Sequence, residues 1–195
     1  MPDFLISYKQ TMGNEGGYVS DPDDAGGETY KGISRKYHKN WDGWDIIDAL
    51  KSDSDFPSNL EDDSILQDKV HKFYKDYYWH ANKLDSIISQ VICNEMFDTA
   101  VNMGRGRAAK FLQQTLNYLN RNQKLFSDLI VDGKIGPSTL RAVDIILRES
   151  EEELMFKIMN VLQGMHYLEY MDKDPKQEKY ARGWFKRVTF IKEVC

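Results

Sequence analysis

Residues 15–32 cannot form a helix, and that fact shapes the reading of the rest of the chain. The stretch holds five of the thirteen glycines (16, 17, 26, 27 and 32), Pro22, and acidic residues at 21, 23, 24 and 28. Such a mixture favours turns or a short hairpin. Outside it no strong strand run occurs, and apolar residues recur at helical spacing. The fold expected is mainly α, with a short β-hairpin or turn at 15–32.

The helical segments read in order. Residues 3–14 place Phe4, Leu5, Tyr8 and Met12 on one stripe with Asp3 as N-cap, and Gly13 followed by Gly16-Gly17 stops them. Residues 33–50 read as helix broken near Asp42-Gly43, and the Ser/Asp-rich 51–63 with Pro57 as an exposed loop. Further helices are expected over 63–79, 87–103, 108–120, 138–148 (capped by Ser138), 151–171 and 181–194. A turn falls at 131–137 and a polar connection at 172–179.

Composition narrows the function classes. The 195 residues include 24 aromatics, from 4 Trp, 11 Tyr and 9 Phe, so the chain can build a core without a metal or disulfide staple. The net charge of −5 argues against a general nucleic-acid or anionic-membrane binder. No run approaches the ~20 apolar residues of a membrane span. The N-terminus lacks a basic region followed by a long apolar one, so synthesis in the cytoplasm without a cleavable signal peptide is expected. Cys93 and Cys195 read as two free thiols rather than a disulfide.

The chemistry concentrates in the glycine-rich segment. Glu15 closes the first helix and meets a double glycine, which fixes a carboxyl at a helix end and permits close approach of a substrate. Asp24 follows after eight intervening residues and Thr29 after four more. If 18–30 folds back, Asp24 and Thr29 can face Glu15 across a cleft. A carboxyl beside Tyr18 and other aromatics can have a raised pKa and donate a proton, while a wetter Asp24 stays ionised, the two-carboxylate logic of glycosidic cleavage. On the residues alone an acidic turn with a satisfied helix-end glutamate is the commoner arrangement, because carboxylates near glycines are frequent.

The run Glu15-Gly16-Gly17-Tyr18 through Asp21-Pro22, Asp24, Gly26-Gly27, Thr29 and Gly32-Ile33-Ser34 resembles the signature of the glycoside hydrolase family 108 N-acetylmuramidases, lysozyme-like proteins also labelled secretion activators. The likeness continues in Phe73–Trp79, in Phe97-Asp98-Thr99-Ala100-Val101-Asn102-Met103-Gly104, and in Arg182–Val188. Asp132-Gly133-Lys134-Ile135-Gly136-Pro137-Ser138-Thr139 resembles a turn of peptidoglycan-binding modules. Segments 51–63 and 172–179 match no motif. The resemblance implies a lysozyme-like helical fold, Glu15 as catalytic acid, and Asp24 and Thr29 as further catalytic residues. It implies cleavage of the β-1,4 bond between N-acetylmuramic acid and N-acetylglucosamine, with peptidoglycan glycan strands as partner and no metal or organic cofactor. Residues 1–90 are then the catalytic region and 91–195 a peptidoglycan-binding-type region. No Gly/Ser linker divides them, so one compact body is expected, and the protein is expected to be a monomer. The site of action would be the cell wall, in the periplasm or outside the cell, reached through a pore like a phage endolysin or by a non-standard export route.

Other readings weaken on inspection. Asp21-x-Asp23-x-x-Gly26 would put Ala25 and Gly32 at positions where an EF-hand needs ligands. Gly104-Arg-Gly106 lacks the preceding strand of a dinucleotide site. The four histidines lack metal-ligand spacing, and no nucleophile elbow is present. Asp98 and Asn102, four apart on one helix face, can line a cleft and bind sugar, or bond to a neighbouring element. Tyr18, Tyr30, Trp41, Trp44 and Trp79 can stack on sugars or fill the core. A non-catalytic peptidoglycan-binding or secretion-associated protein is the competing function. Glu15 speaks against it, because a binder needs no helix-end acid.

Overall fold

The computed structural model describes residues 1–13, 17–20 and 27–190. Two units are distinguished: one comprises Met1–Thr11 with Tyr78–Cys195, the other Met12–Tyr77. The fold is mainly α and lysozyme-like, with one small antiparallel sheet.

The first unit begins with α1 (Phe4–Met12), whose buried Phe4, Ser7, Tyr8 and Thr11 follow the i, i+3, i+4, i+7 rule. Asp3 Oδ1 accepts the Leu5 N–H at 2.8 Å, the cap expected. After short 3₁₀ turns come α5 (Gln90–Met103) and α6 (Arg105–Leu119), then α7 (Pro137–Arg148) and α8 (Glu152–Lys173). Ser89 caps α5 by accepting the Ile92 N–H at 3.1 Å. Helices α5, α6 and α8 pack on one another. They bury Met96, Phe97, Ala100, Leu112, Leu116 and Met159. Cys93 is a buried free thiol in this core.

Two expectations fail here. Ser138 does not cap α7: the helix opens on Pro137, with Gly136 at the cap position, and Ser138 Oγ accepts from Arg141 instead. Proline suits the first helical position because its missing N–H would be unsatisfied anyway. Of the final helix expected over 181–194, the described residues contain α9 (Ala181–Trp184) followed by turn and irregular backbone to 190, and 191–194 lie outside the described residues. Beyond it the chain is held sideways. Arg187 bonds Asp98, and the Thr189 N–H donates to Asn160 Oδ1 at 2.8 Å, so that N–H is not available for a helical bond.

The second unit carries the sheet, β1 (Tyr18–Val19), β2 (Thr29–Tyr30) and β3 (Ile33–Ser34), in the order β1-β2-β3. Tyr18 pairs with Tyr30, Val19 with Thr29, and Tyr30 with Ile33. The β2–β3 connection is the two-residue turn Lys31-Gly32, with φ of +44° and +76°. Both values are positive, as in the turns that match strand twist. A helix starting at 33 is thereby corrected: Ile33 closes a hairpin. Helices α2 (Gly43–Leu50), α3 (Asn59–Asp62) and α4 (Ser64–Tyr74) complete the unit around Tyr30, Ile33, Trp44, Ile47, Leu60, Leu66 and Val70. The 51–63 stretch, expected as loop, therefore contains one helical turn that buries Leu60. Asp63 caps α4 by accepting the Leu66 N–H at 2.7 Å. Lys75–Trp79 is a single π-helical turn.

Candidate functional site

The hairpin that carries Thr29 is braced from beneath. Glu28, at the foot of β2, accepts from Tyr18 Oη at 2.8 Å, Lys51 Nζ at 2.7 Å and Arg35 Nη1 at 2.8 Å. Arg35 also forks onto Asp48 at 2.8 and 2.6 Å, and Lys51 bonds Asp48 at 2.7 Å. Two cations and two carboxylates thus close a neutral cluster. Burial acts to raise the Glu28 carboxyl, but hydrogen bonds from Lys51, Arg35 and Tyr18 outweigh it and hold the group below its usual range. Arg35 and Lys51 likewise keep Asp48 strongly ionised.

Thr29 is half-buried in β2, and its Oγ1 donates to the Gly27 carbonyl at 3.2 Å. With its hydrogen committed there, the hydroxyl oxygen is left as an acceptor. Tyr18 is half-buried, its ring edge-on to Phe56 at 4.8 Å and its hydroxyl fixed by Glu28. Tyr30 corrects an expectation. It is 1% exposed, its hydroxyl donates to Leu60 O at 3.1 Å and accepts from Gln67 at 2.9 Å, and burial pushes its pKa up to about 12. No ring face is left for a sugar, so Tyr30 is a prop under the hairpin. Trp44 and Trp79, at 2% and 0% exposure, are core as well. Glu15 and Asp24 lie outside the described residues.

Asp98 and Asn102 belong to the first unit. Asn102 Nδ2 donates to the Asp98 carbonyl at 2.8 Å. The Asp98 carboxylate accepts from Arg187 at 2.6 Å and Gln163 at 3.2 Å. Of the two alternatives open for this residue, bonding to neighbouring elements is present. It also lines a cavity of about 260 Å³, together with Gln10, Thr11, Asn94, Glu95 and Arg187.

Glu95 is the residue sequence reasoning missed. It is 6% exposed, accepts from Asn160 at 2.8 Å and Thr99 at 3.2 Å, and sits one turn before Asp98. Burial, and then the Asp98 charge, raise its pKa to about 8, which leaves a protonated acid at neutral pH. The available signal was a lone glutamate inside the apolar face Ile92, Cys93, Met96, Phe97. Among the described residues no three His, Cys, Asp or Glu side chains are grouped so as to hold a metal ion. No helix among them is long and apolar enough to cross a membrane.

Comparison with known proteins fits this architecture. Residues 8–104 match the family model described as Glycosyl hydrolase 108, and residues 107–189 match the one described as Predicted Peptidoglycan domain. No curated protein sequence matches the chain. Among solved structures, that of Brucella abortus SagA is similar in fold, with a TM-score of 0.60 at 22% identity over 95% of this chain and 88% of that one. The chain belongs to the glycosyl hydrolase 108 family, with a peptidoglycan-type domain in its C-terminal part.

Proposed function

We propose that this peptidoglycan-directed glycoside hydrolase is an N-acetylmuramidase. It cleaves the β-1,4 bond between N-acetylmuramic acid and N-acetylglucosamine. The observation that carries the reading is the family match over 8–104, which contains the Glu15–Ser34 signature. Glu15 is the general acid that protonates the glycosidic oxygen as an oxocarbenium-like transition state forms. Asp24 stabilises that positive charge or orients the attacking water. Thr29, whose hydroxyl oxygen is left as an acceptor, accepts a hydrogen bond from that water and so helps to orient it. Tyr18 borders the substrate with its orientation fixed by Glu28. The protein acts as a monomer on the bacterial cell wall, in the periplasm or outside the cell, and needs no metal or organic cofactor.

The test is product chemistry. Incubation with purified peptidoglycan, followed by mass spectrometry of borohydride-reduced fragments, identifies which sugar carries each new reducing end. Muramic-acid ends support the reading. Glucosamine ends would contradict it, and binding without any cleavage would favour the competing non-catalytic function.

A further inference from the structure

The cavity of about 260 Å³ in the first unit has walls from α1, α5, α8 and the segment after α9. Thr11 and Glu95 line it although they are only 7% and 6% exposed. Val91 and Phe156 give it an apolar side, and Lys186 and Arg187 border it from the C-terminal segment. Thr11 stands four positions before Glu15 in the sequence.

A chain of hydrogen bonds sets the donors on these walls in advance. The Asp3 N–H can only donate, and it donates to Gln90 Oε1 at 2.5 Å. That orients the Gln90 amide, whose Nε2 donates to Asn94 Oδ1 at 2.7 Å. Ser7 Oγ donates to the same oxygen at 2.5 Å. Asn94 thus has its carbonyl oxygen spent, while its Nδ2 has no partner among the described residues. The Thr11 hydroxyl likewise makes no hydrogen bond among them. Neither atom is sealed from solvent, and both residues line the cavity. A polar side chain more than nine-tenths buried, on a cavity wall and without a partner, points to a ligand atom.

The charge of the walls has a definite sign. Asp98 and Arg187 neutralise each other at 2.6 Å. Glu95, kept protonated at neutral pH by burial, adds no charge. Lys186 is exposed and pairs with no carboxylate among the described residues. One positive charge is therefore left unbalanced, beside unused N–H and O–H donors and an apolar side.

We propose that this cavity seats a carboxylate at the end of the peptide branch that a peptidoglycan strand carries. Lys186 meets the charge, Asn94 Nδ2 and Thr11 Oγ1 donate to the carboxylate oxygens, and Val91 and Phe156 cover the aliphatic carbons beside it. The volume suits the last residue of a peptide rather than a run of sugars, since pockets for whole ligands span roughly 300–1,000 Å³. A protein of net charge −5 gains no long-range attraction to an anionic polymer, so a local site supplies the recognition that bulk charge does not. The identification of the peptide as a branch of peptidoglycan rests on the function proposed above, whereas the carboxylate chemistry does not.

The protein is titrated with a soluble branch pentapeptide bearing free carboxylates, with the same peptide amidated at them, and with inorganic phosphate. NMR follows the side-chain amide of Asn94. The peptide should shift that signal, and the amidated peptide should bind at least about tenfold more weakly. Lys186→Glu should weaken peptide binding about tenfold, and Thr11→Val about threefold or more, the scale of one hydrogen bond. Thermal denaturation checks that each variant folds, and should Thr11→Val fail, Lys186→Glu alone carries the test. On intact peptidoglycan Lys186→Glu should raise KM with kcat unchanged, and on strands stripped of peptide it should match the parent. No shift at Asn94, or unaltered binding by the variants, would overturn the proposal. So would amidated peptide or phosphate that binds as well as the free peptide. An equal KM penalty on stripped strands, whose lactyl carboxylate is then free, would assign the carboxylate to the sugar and overturn the proposal too. Peptide binding at Asn94 by a protein that cleaves no strand would refute the muramidase reading and leave this site standing.

Discussion

Arg187 donates to the carboxylate of Asp98 at 2.6 Å and so fastens the segment after α9 to helix α5, 89 positions earlier in the chain. The pair is mostly shielded, with side chains 23% and 19% exposed. Removing one partner strands a largely buried charge, which costs more than removing both. Arg187→Ala should therefore lower the unfolding free energy by roughly 1–3 kcal/mol. Arg187→Gln combined with Asp98→Asn should cost less than the sum of the two single changes. Urea unfolding of the four proteins measures the cycle. Additive costs would show that the contact carries no net coupling.

Glu95 gives the first unit a pH dependence of definite sign. Its carboxyl titrates near 4.5 when unfolded and is raised to about 8 in the fold, by burial and then by Asp98. Between those values the folded state holds a proton that the unfolded state has released. Its contribution to stability is therefore fully present below about pH 4.5 and declines as pH rises towards 8. The Glu95→Gln variant keeps the shape and lacks the titration. Its unfolding free energy should be flatter than the parent's across that window, as read by urea titrations at several pH values. Parallel pH profiles would contradict the account.

Glu28 has the opposite sign. Its folded pKa is depressed, so its contribution is present above about pH 4.5 and is lost as pH falls through the folded value. Glu28→Ala leaves Arg35 and Lys51 facing Asp48 alone and frees the Tyr18 hydroxyl. The expected cost is about 1–3 kcal/mol. Amide hydrogen exchange should accelerate at the paired residues of β1 and β2 more than in α5 or α8. Uniform acceleration would mean that the cluster does not support the sheet specifically.

Gly32 should not tolerate a side chain. Its φ is +76°, and an added Cβ would lie 2.8 Å from Tyr74 Oη, which donates to the Lys31 carbonyl at 2.7 Å. Gly32→Ala should cost about 1–3 kcal/mol through the backbone conformation alone, and more through the clash. Tyr74→Phe removes the clashing atom. The double variant should thus be more stable than additivity predicts, and thermal unfolding of the set decides.

The helical architecture was legible in the sequence because its signal is local. Phe4 and Tyr8 lie on the buried stripe of α1 as their spacing predicts and Asp3 caps it, although Leu5, expected beside them, is 45% exposed and Ser7 and Thr11 complete the stripe instead. What escaped was set at long range. The Lys31-Gly32 turn requires a positive φ at a lysine, held by Glu61 at 2.7 Å and Gln67 at 2.8 Å, and neither partner is a sequence neighbour. The last helix ends early because Arg187 and Thr189 bond to α5 and α8. Tyr30 suited a sugar platform on composition alone, and only its place beneath Leu60 and Gln67 makes it core. Glu95 was passed over because its meaning depends on Asn160, 65 positions later. The family signature, by contrast, is contiguous from Glu15 to Ser34 and was readable at once.

The most direct test of the central claim compares the parent with Glu15→Gln on purified peptidoglycan, following kcat/KM by release of muramic-acid reducing ends. Glutamine keeps the size of the side chain and cannot protonate a leaving oxygen. The account predicts a loss of about 10²-fold or more, the scale of a missing general acid, with sacculus binding retained. Activity within a few-fold of the parent would remove Glu15 from the mechanism and contradict the account.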